Sequence, residues 1–125
     1  MFVNKDNLNS FLKPWLIFMF ILIIIMIIIG GLTRLTDSGL SITAWEVFSG
    51  ILPPLSDEKW NFYFSEYKKI PEYQYLNYSM NLNEFKYIFY WEYLHRLFGR
   101  IIGLVSILPL IYISIKYKIF SGIKR

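Results

Sequence analysis

Cysteine is absent from the 125 residues, which excludes a disulfide framework, a zinc–thiolate or iron–sulfur site, and a thiolate nucleophile. Histidine occurs once, at His95, so one copy of the chain cannot assemble a histidine cluster. Charge is missing altogether from residues 15–32, where a soluble domain would need it. The formal net charge of +4 does not mark a nucleic-acid binder. The basic residues are not gathered in a patch interleaved with exposed aromatics but sit largely at the edges of apolar runs.

What is there instead is apolar surface. Hydrophobic residues make up 55% of the chain and aromatics 20%, concentrated in two blocks, and the composition predicts an all-α polytopic membrane unit. Residues 1–14 form a short polar tail with Lys5 and Lys13, lacking the Arg/Ser richness of a transit peptide. The uncharged run 15–32 is about 18 residues and roughly 27 Å of helix, enough to cross a hydrocarbon core of about 30 Å with help from its flanks. A cleaved signal peptide has a shorter apolar region and a small-x-small cleavage site, and neither is seen, so the segment reads as a retained transmembrane helix.

Residues 33–81 form a polar loop with structure of its own. Pro53-Pro54 stops any preceding helix. Ser56 is placed as an N-cap with Asp57 and Glu58 behind it, and Trp60, Phe64 and Tyr67 give the run at about 57–69 one aromatic face. An amphipathic helix is predicted there, lying on the membrane surface or over the helix bundle, and Pro71 ends it. Asn81 with Glu84 has the spacing of a capping box for the next helix, predicted over 82–115. At roughly 50 Å that helix outruns the hydrocarbon core, so its first turns project from the membrane. Its membrane part is placed at about 91–115, with Tyr87, Tyr90, Trp91 and Tyr93 in the interfacial belt and Pro109 tolerated inside. The tail 116–125 is basic. Lys116, Lys118, Lys124 and Arg125 balance against a loop rich in Asp and Glu, which favours both termini on the cytoplasmic or matrix side.

The most informative stretch is Trp91-Glu92-Tyr93-Leu94-His95-Arg96-Leu97-Phe98-Gly99-Arg100-Ile101-Ile102-Gly103. At about 100° per residue, Glu92, His95, Arg96, Gly99, Arg100 and Gly103 fall in one stripe roughly 140° wide, with Leu94, Leu97, Phe98 and Ile101 opposite. Ionisable groups inside a bilayer need a partner or a cavity. Several readings meet that need. Arg96 and Arg100 can snorkel to headgroups while Glu92 pairs with one of them, and His95 can be a hydrogen-bonded interfacial residue. Gly99 and Gly103 can be a helix-packing pair. Alternatively, the glycines leave room for a flat macrocycle, His95 is its axial iron ligand, and the arginines hold propionates by charge-assisted pairing. A di-iron carboxylate site repeats Glu-x-x-His and adds two further glutamates, whereas this chain has one copy.

Gly30-Gly31-Leu32-Thr33-Arg34-Leu35-Thr36-Asp37-Ser38-Gly39-Leu40-Ser41-Ile42, followed by Trp45 and Pro53-Pro54, resembles the first external loop of the haem A synthase family. Leu76-Asn77, Met80-Asn81-Leu82-Asn83-Glu84-Phe85-Lys86 and Trp91 through Arg100 resemble the next part of it. The similarity covers about residues 30–116 in order and spacing, and it is to the mitochondrial and alphaproteobacterial branch, which lacks a loop cysteine pair. The resemblance implies oxidation of a ring methyl of haem O to the formyl group of haem A through successive hydroxylations. It also implies two pseudo-symmetric four-helix bundles, eight membrane helices in all, with histidine pairs as haem ligands in each half. Carried over by position, His95 is the haem-iron ligand of the second helix in the N-terminal, substrate-side half, and Glu92 is the acid implicated in the oxidation.

On that resemblance the chain is expected to be the N-terminal portion of such an enzyme, supplying two helices and part of the haem site, with haem b in the missing half. The expected partners are the bilayer, the remaining helices or a complementary chain, haem O and a second copy of the chain. The expected location is an inner membrane, bacterial or mitochondrial. The alternative is a non-catalytic haem-binding or cytochrome oxidase assembly subunit. Expressing residues 1–125 alone in a synthase-deficient membrane is expected to yield no haem A on extraction and chromatography of the haems.

Overall fold

The computed structural model describes residues 5–44 and 49–117. Among them every regular element is helical: α1 (Lys5–Leu35), a single 3-10 turn (Ser49–Ile51), α2 (Asp57–Tyr67), α3 (Pro71–Tyr75) and α4 (Leu82–Tyr117). Trp45, part of the loop motif, lies outside the described residues. Two of these helices are long and apolar enough to cross a membrane, over Asn9–Leu35 and Leu82–Ile115. Helix α1 begins well before the apolar run at 15 and continues through Pro14. Helix α2 stops at Tyr67, and Pro71 then starts α3 at its first position, where a missing N–H costs nothing and φ is already set for a helix.

The ends of the helices are closed by local chemistry. At the end of α1 the Ser38 N–H donates to the Thr33 carbonyl at 2.9 Å and the Asp37 N–H to the Arg34 carbonyl at 3.2 Å. These are the two bonds of a Schellman motif, and Asp37 takes the left-handed position with φ 48°. Ser56 caps α2 by accepting from the Lys59 N–H. Asn81 and Glu84 form a reciprocal box: the Asn81 side chain accepts from the Asn83 and Glu84 N–H groups, and the Asn81 N–H donates to Glu84 Oε2 at 2.8 Å.

The chain divides into two compact units, one holding residues up to Met26 and from Phe98 on, the other Ile27–Leu97. In the second unit the aromatic face of α2 does not lie on lipid. Trp60, Phe64 and Tyr67 pack on Phe85, Ile88 and Phe89 of α4 to form a buried cluster, with Trp60 edge-on to Phe89 at 4.9 Å and Phe64 on Phe85 at 5.0 Å. The hydroxyl of Tyr67 accepts from the Asn77 amide at 2.9 Å. Burial raises its pKa above the ordinary 10.0, an effect the Asn77 bond partly offsets and the carboxylates of Glu72, Asp37 and Glu92 reinforce. This cluster, together with the Tyr93 hydroxyl donating to the Ile51 carbonyl at 2.6 Å, holds the connection between the long helices against the first turns of α4.

In the first unit α1 and α4 meet with Phe11 beside Tyr112, Trp15 beside Val105 and Met26 beside Gly99, so the helices run antiparallel there. One contact results from a missing atom. Pro109 sits inside α4 and has no N–H to give to the carbonyl four residues earlier, which is that of Val105. The Trp15 indole N–H donates to that carbonyl at 2.9 Å. In an apolar surround an unpaired carbonyl is expensive, so the indole supplies what the proline cannot. Trp15→Phe is expected to cost about 1–3 kcal/mol by reversible unfolding in detergent. Combining it with Pro109→Ala, which restores the helical N–H, should recover most of that loss in a double-mutant cycle.

Candidate functional site

The second unit brings the polar head of the stripe together with the turn after α1. Glu92 is 5% exposed, and each of its oxygens is engaged. Oε1 accepts from Arg96 Nε at 2.9 Å and from its Nη2 at 2.5 Å. The two residues are one turn apart on α4, the spacing at which oppositely charged side chains meet. Oε2 accepts from the Ser41 hydroxyl at 2.7 Å and the Ile42 N–H at 2.8 Å. A carboxylate has about four lone-pair sites, and all four are addressed. Arg96 Nη2 also donates to the Ile42 carbonyl at 2.9 Å, so the ion pair grips both backbone groups of Ile42. Among the described residues no buried side-chain nitrogen or oxygen lacks a partner.

The turn that delivers Ser41 is built from hydroxyls and one unusual backbone. Thr33 and Thr36 return their hydroxyls to the carbonyls of Ile29 and Leu32, each at 2.8 Å. The hydroxyls of Thr36 and Ser38 share a bond of 2.5 Å. Ser38 and Ser41 are buried, and the Ser41 N–H donates to the Ser38 carbonyl at 3.2 Å. That bond closes a turn over Ser38–Ser41 with Leu40 third and at φ 86°, the position where a type II turn demands positive φ and takes glycine by preference. A leucine there is strained by about 1–2 kcal/mol. Its side chain gains little in return, being 61% exposed.

His95 is half-buried on the same helix. Its imidazole lies against the backbone of α1 at Gly30: a Cβ built there would sit 3.4 Å from Nε2 and 3.7 Å from Cδ2. A Cβ at position 30 would thus touch the ring edge at van der Waals distance, and the glycine leaves the imidazole packed directly on the α1 backbone. Gly31, next to it, faces nothing within 4 Å. Gly99, Arg100 and Gly103, the remainder of the stripe, belong to the first unit. A Cβ at Gly99 would meet the end of Met26 at 3.7 Å, and one at Gly103 would meet nothing within 4 Å. Arg100 is half-buried.

The structure thus joins Glu92 to Arg96 and sets His95 beside Gly30, within one turn of both. The pairing of Glu92 with an arginine is the arrangement that the snorkelling account of the stripe includes, and the guanidinium of Arg96 is committed to Glu92 and to Ile42. Ser41 and Ile42 were not singled out as chemical partners by the sequence. The available signal was a hydroxyl-rich stretch with one glycine, Thr36-Asp37-Ser38-Gly39-Leu40-Ser41, which marks a turn but not its contact with a helix some fifty residues on. Replacing Leu40 by glycine is expected to stabilise the protein by about 0.5–1 kcal/mol, the relieved strain less the entropy of the freer chain, read as a raised thermal midpoint.

Comparison with known proteins gives concordant results. A family described as cytochrome oxidase assembly protein matches residues 13–125. A "Heme A synthase" of Pelagibacter ubique is 62% identical over 118 residues, covering 94% of this chain and 35% of that protein. One from Rickettsia canadensis is 53% identical over 108 residues, 86% of this chain and 32% of the relative. A "Heme A synthase-mitochondrial ferredoxin fusion protein" of Schizosaccharomyces pombe is 50% identical over 101 residues, 81% of this chain and 16% of the fusion. The chain spans about a third of the length of the first two. No solved structure matches it.

Proposed function

The chain belongs to the cytochrome oxidase assembly protein family, and from that premise we propose that it serves in haem A biosynthesis, as part of an oxidoreductase that converts a methyl group of haem O to the formyl group of haem A. Its share is two membrane helices and one wall of the haem site. The observation that carries this reading is the buried Glu92 carboxylate one turn from His95, whose ring lies against Gly30 of α1. The names of the relatives support it.

The residues present fit a haem. His95 offers an imidazole on a half-buried helix face, the donor chemistry haem iron takes, and the glycines at 30 and 31 keep that stretch of α1 free of side chains. In this reading His95 holds the iron of haem O, which brings the ring methyl to be oxidised. Oxidising a methyl to a formyl group, balanced with water as the oxygen source, releases both electrons and protons. The electrons pass to an external electron acceptor; the protons need an acceptor near the ring, and Glu92 is assigned that role. Arg100 is assigned to a propionate by charge-assisted pairing. Arg96 can reach a propionate only by sharing the guanidinium that holds Glu92 and Ile42. A haem b belongs to the half of the enzyme beyond these helices.

The membrane-embedded parts are taken as 15–32 and 91–115, in an inner membrane of bacterial or mitochondrial type. The basic tail 116–125 is on the cytoplasmic or matrix side with the N-terminus, and the loop 33–81 is on the opposite side. Partners in this arrangement are lipid, further helices of the enzyme or a second copy, and haem O.

A second reading draws on the saturated hydrogen bonding of Glu92. If all four bonds are structural, the chain is a non-catalytic haem-binding or oxidase assembly subunit. Two variants, made in native membranes where the chain meets the helices that complete the haem site, test the two assignments. His95→Ala is expected to abolish the haem absorption of the substrate site, and an unchanged optical spectrum would remove His95 as ligand. Glu92→Gln, close in shape, is expected to leave that spectrum in place and cut haem A formation by about a hundredfold or more. Full conversion of haem O by Glu92→Gln would remove the catalytic role of Glu92, and absence of haem O turnover in the unsubstituted protein would favour the non-catalytic reading.

A further inference from the structure

The two oxygens of Glu92 are held by chemically different groups. Oε1 faces the guanidinium of Arg96, which keeps its protons in proteins. Oε2 faces the Ile42 N–H, a fixed donor, and the Ser41 hydroxyl at 2.7 Å. A hydroxyl can donate, accept and rotate, so of these groups only Ser41 can adapt when the carboxylate gains or loses a proton. Ser41 is 1% exposed, and its other near contact, the Ile88 carbonyl at 3.4 Å, is too long to compete for its hydrogen. The backbone just before it is the strained one: Leu40 holds φ 86° and thereby closes the turn that sets Ser41 against α4. Strain of this kind persists only where the surroundings over-determine it, and here the Ser41 and Ile42 bonds to Glu92 and the Arg96 bond to Ile42 do so.

We infer that Ser41 is a positioning residue for Glu92: its hydroxyl fixes Oε2, and the strained turn at Leu40 keeps it there. The inference deepens the proposed function, since Glu92 matters to turnover only if that function is right, but the contact itself can be tested without turnover.

The first measurement is infrared difference spectroscopy of the chain in lipid nanodiscs, with the Glu92 carboxylate band isolated by subtraction against Glu92→Gln. Ser41→Ala is expected to shift that band, Ser41→Thr to restore it, and Ser41→Cys, a weaker donor of similar size, to place it between. The second is haem O turnover in native membranes, with the chain among the helices that complete the haem site. Ser41→Ala should lower kcat about tenfold, the worth of one lost hydrogen bond, with KM unchanged and with recovery in Ser41→Thr. A carboxylate band that stays in place in both Ser41→Ala and Ser41→Cys overturns the inference. So does a loss of turnover in Ser41→Ala that Ser41→Thr fails to recover. If Glu92→Gln turns over haem O normally while Ser41→Ala still shifts the band, the positioning contact stands and the catalytic assignment of Glu92 falls.

Discussion

The grip of one ion pair on one peptide organises the second unit. Glu92 and Arg96 lie a turn apart on α4, and between them they bind the N–H and the carbonyl of Ile42. A loop backbone laid against an apolar helix has polar groups that must be satisfied, and two charged side chains in a largely apolar setting have the same need. Each solves the problem of the other. The Schellman turn at Asp37, the strained turn at Leu40 and the hydroxyls from Thr33 to Ser41 lead the chain from α1 to that grip. The aromatic cluster of α2 and α4 and the Tyr93–Ile51 bond then secure the rest of the connection.

The charge arrangement bears on how such a site keeps its shape. An exposed ion pair contributes little because water competes for it. Here the carboxylate side chain is 7% exposed and the guanidinium side chain 27% exposed, with neutral hydrogen bonds completing the shell. Removing one member leaves the other without its counter-charge, so the members function as a set. A carboxylate held in such a set has its direction fixed in advance, with no reorganisation needed to present it.

The long helices were legible from hydropathy alone, because uninterrupted apolar runs admit few other structures. The box of Asn81 and Glu84 was equally legible, since both partners lie within one turn. So was the stripe on α4, a matter of helical periodicity. The pairing of Glu92 with Arg96 stood among the sequence alternatives. What the sequence could not display were contacts made across distance: Ser41 with Glu92, Tyr93 with Ile51, Trp15 with Val105. The face that α2 presents was visible in Trp60, Phe64 and Tyr67, but two destinations fitted it, lipid and protein. The first turns of α4 proved to be the destination because Phe85 and Phe89 offer rings on the matching face. Leu40 misleads sequence reasoning most, since a residue with a strong preference for negative φ occupies a glycine position next to an available glycine.

The bare carbonyl that Pro109 leaves at Val105 has a meaning beyond its own hydrogen bond. Two apolar helices among lipid tails can slide or rotate past one another at little cost, since one set of aliphatic contacts resembles the next. The indole of Trp15 meets that carbonyl in a single alignment. A defect in one helix therefore serves as a registration mark for the other, telling two otherwise featureless surfaces where to stop.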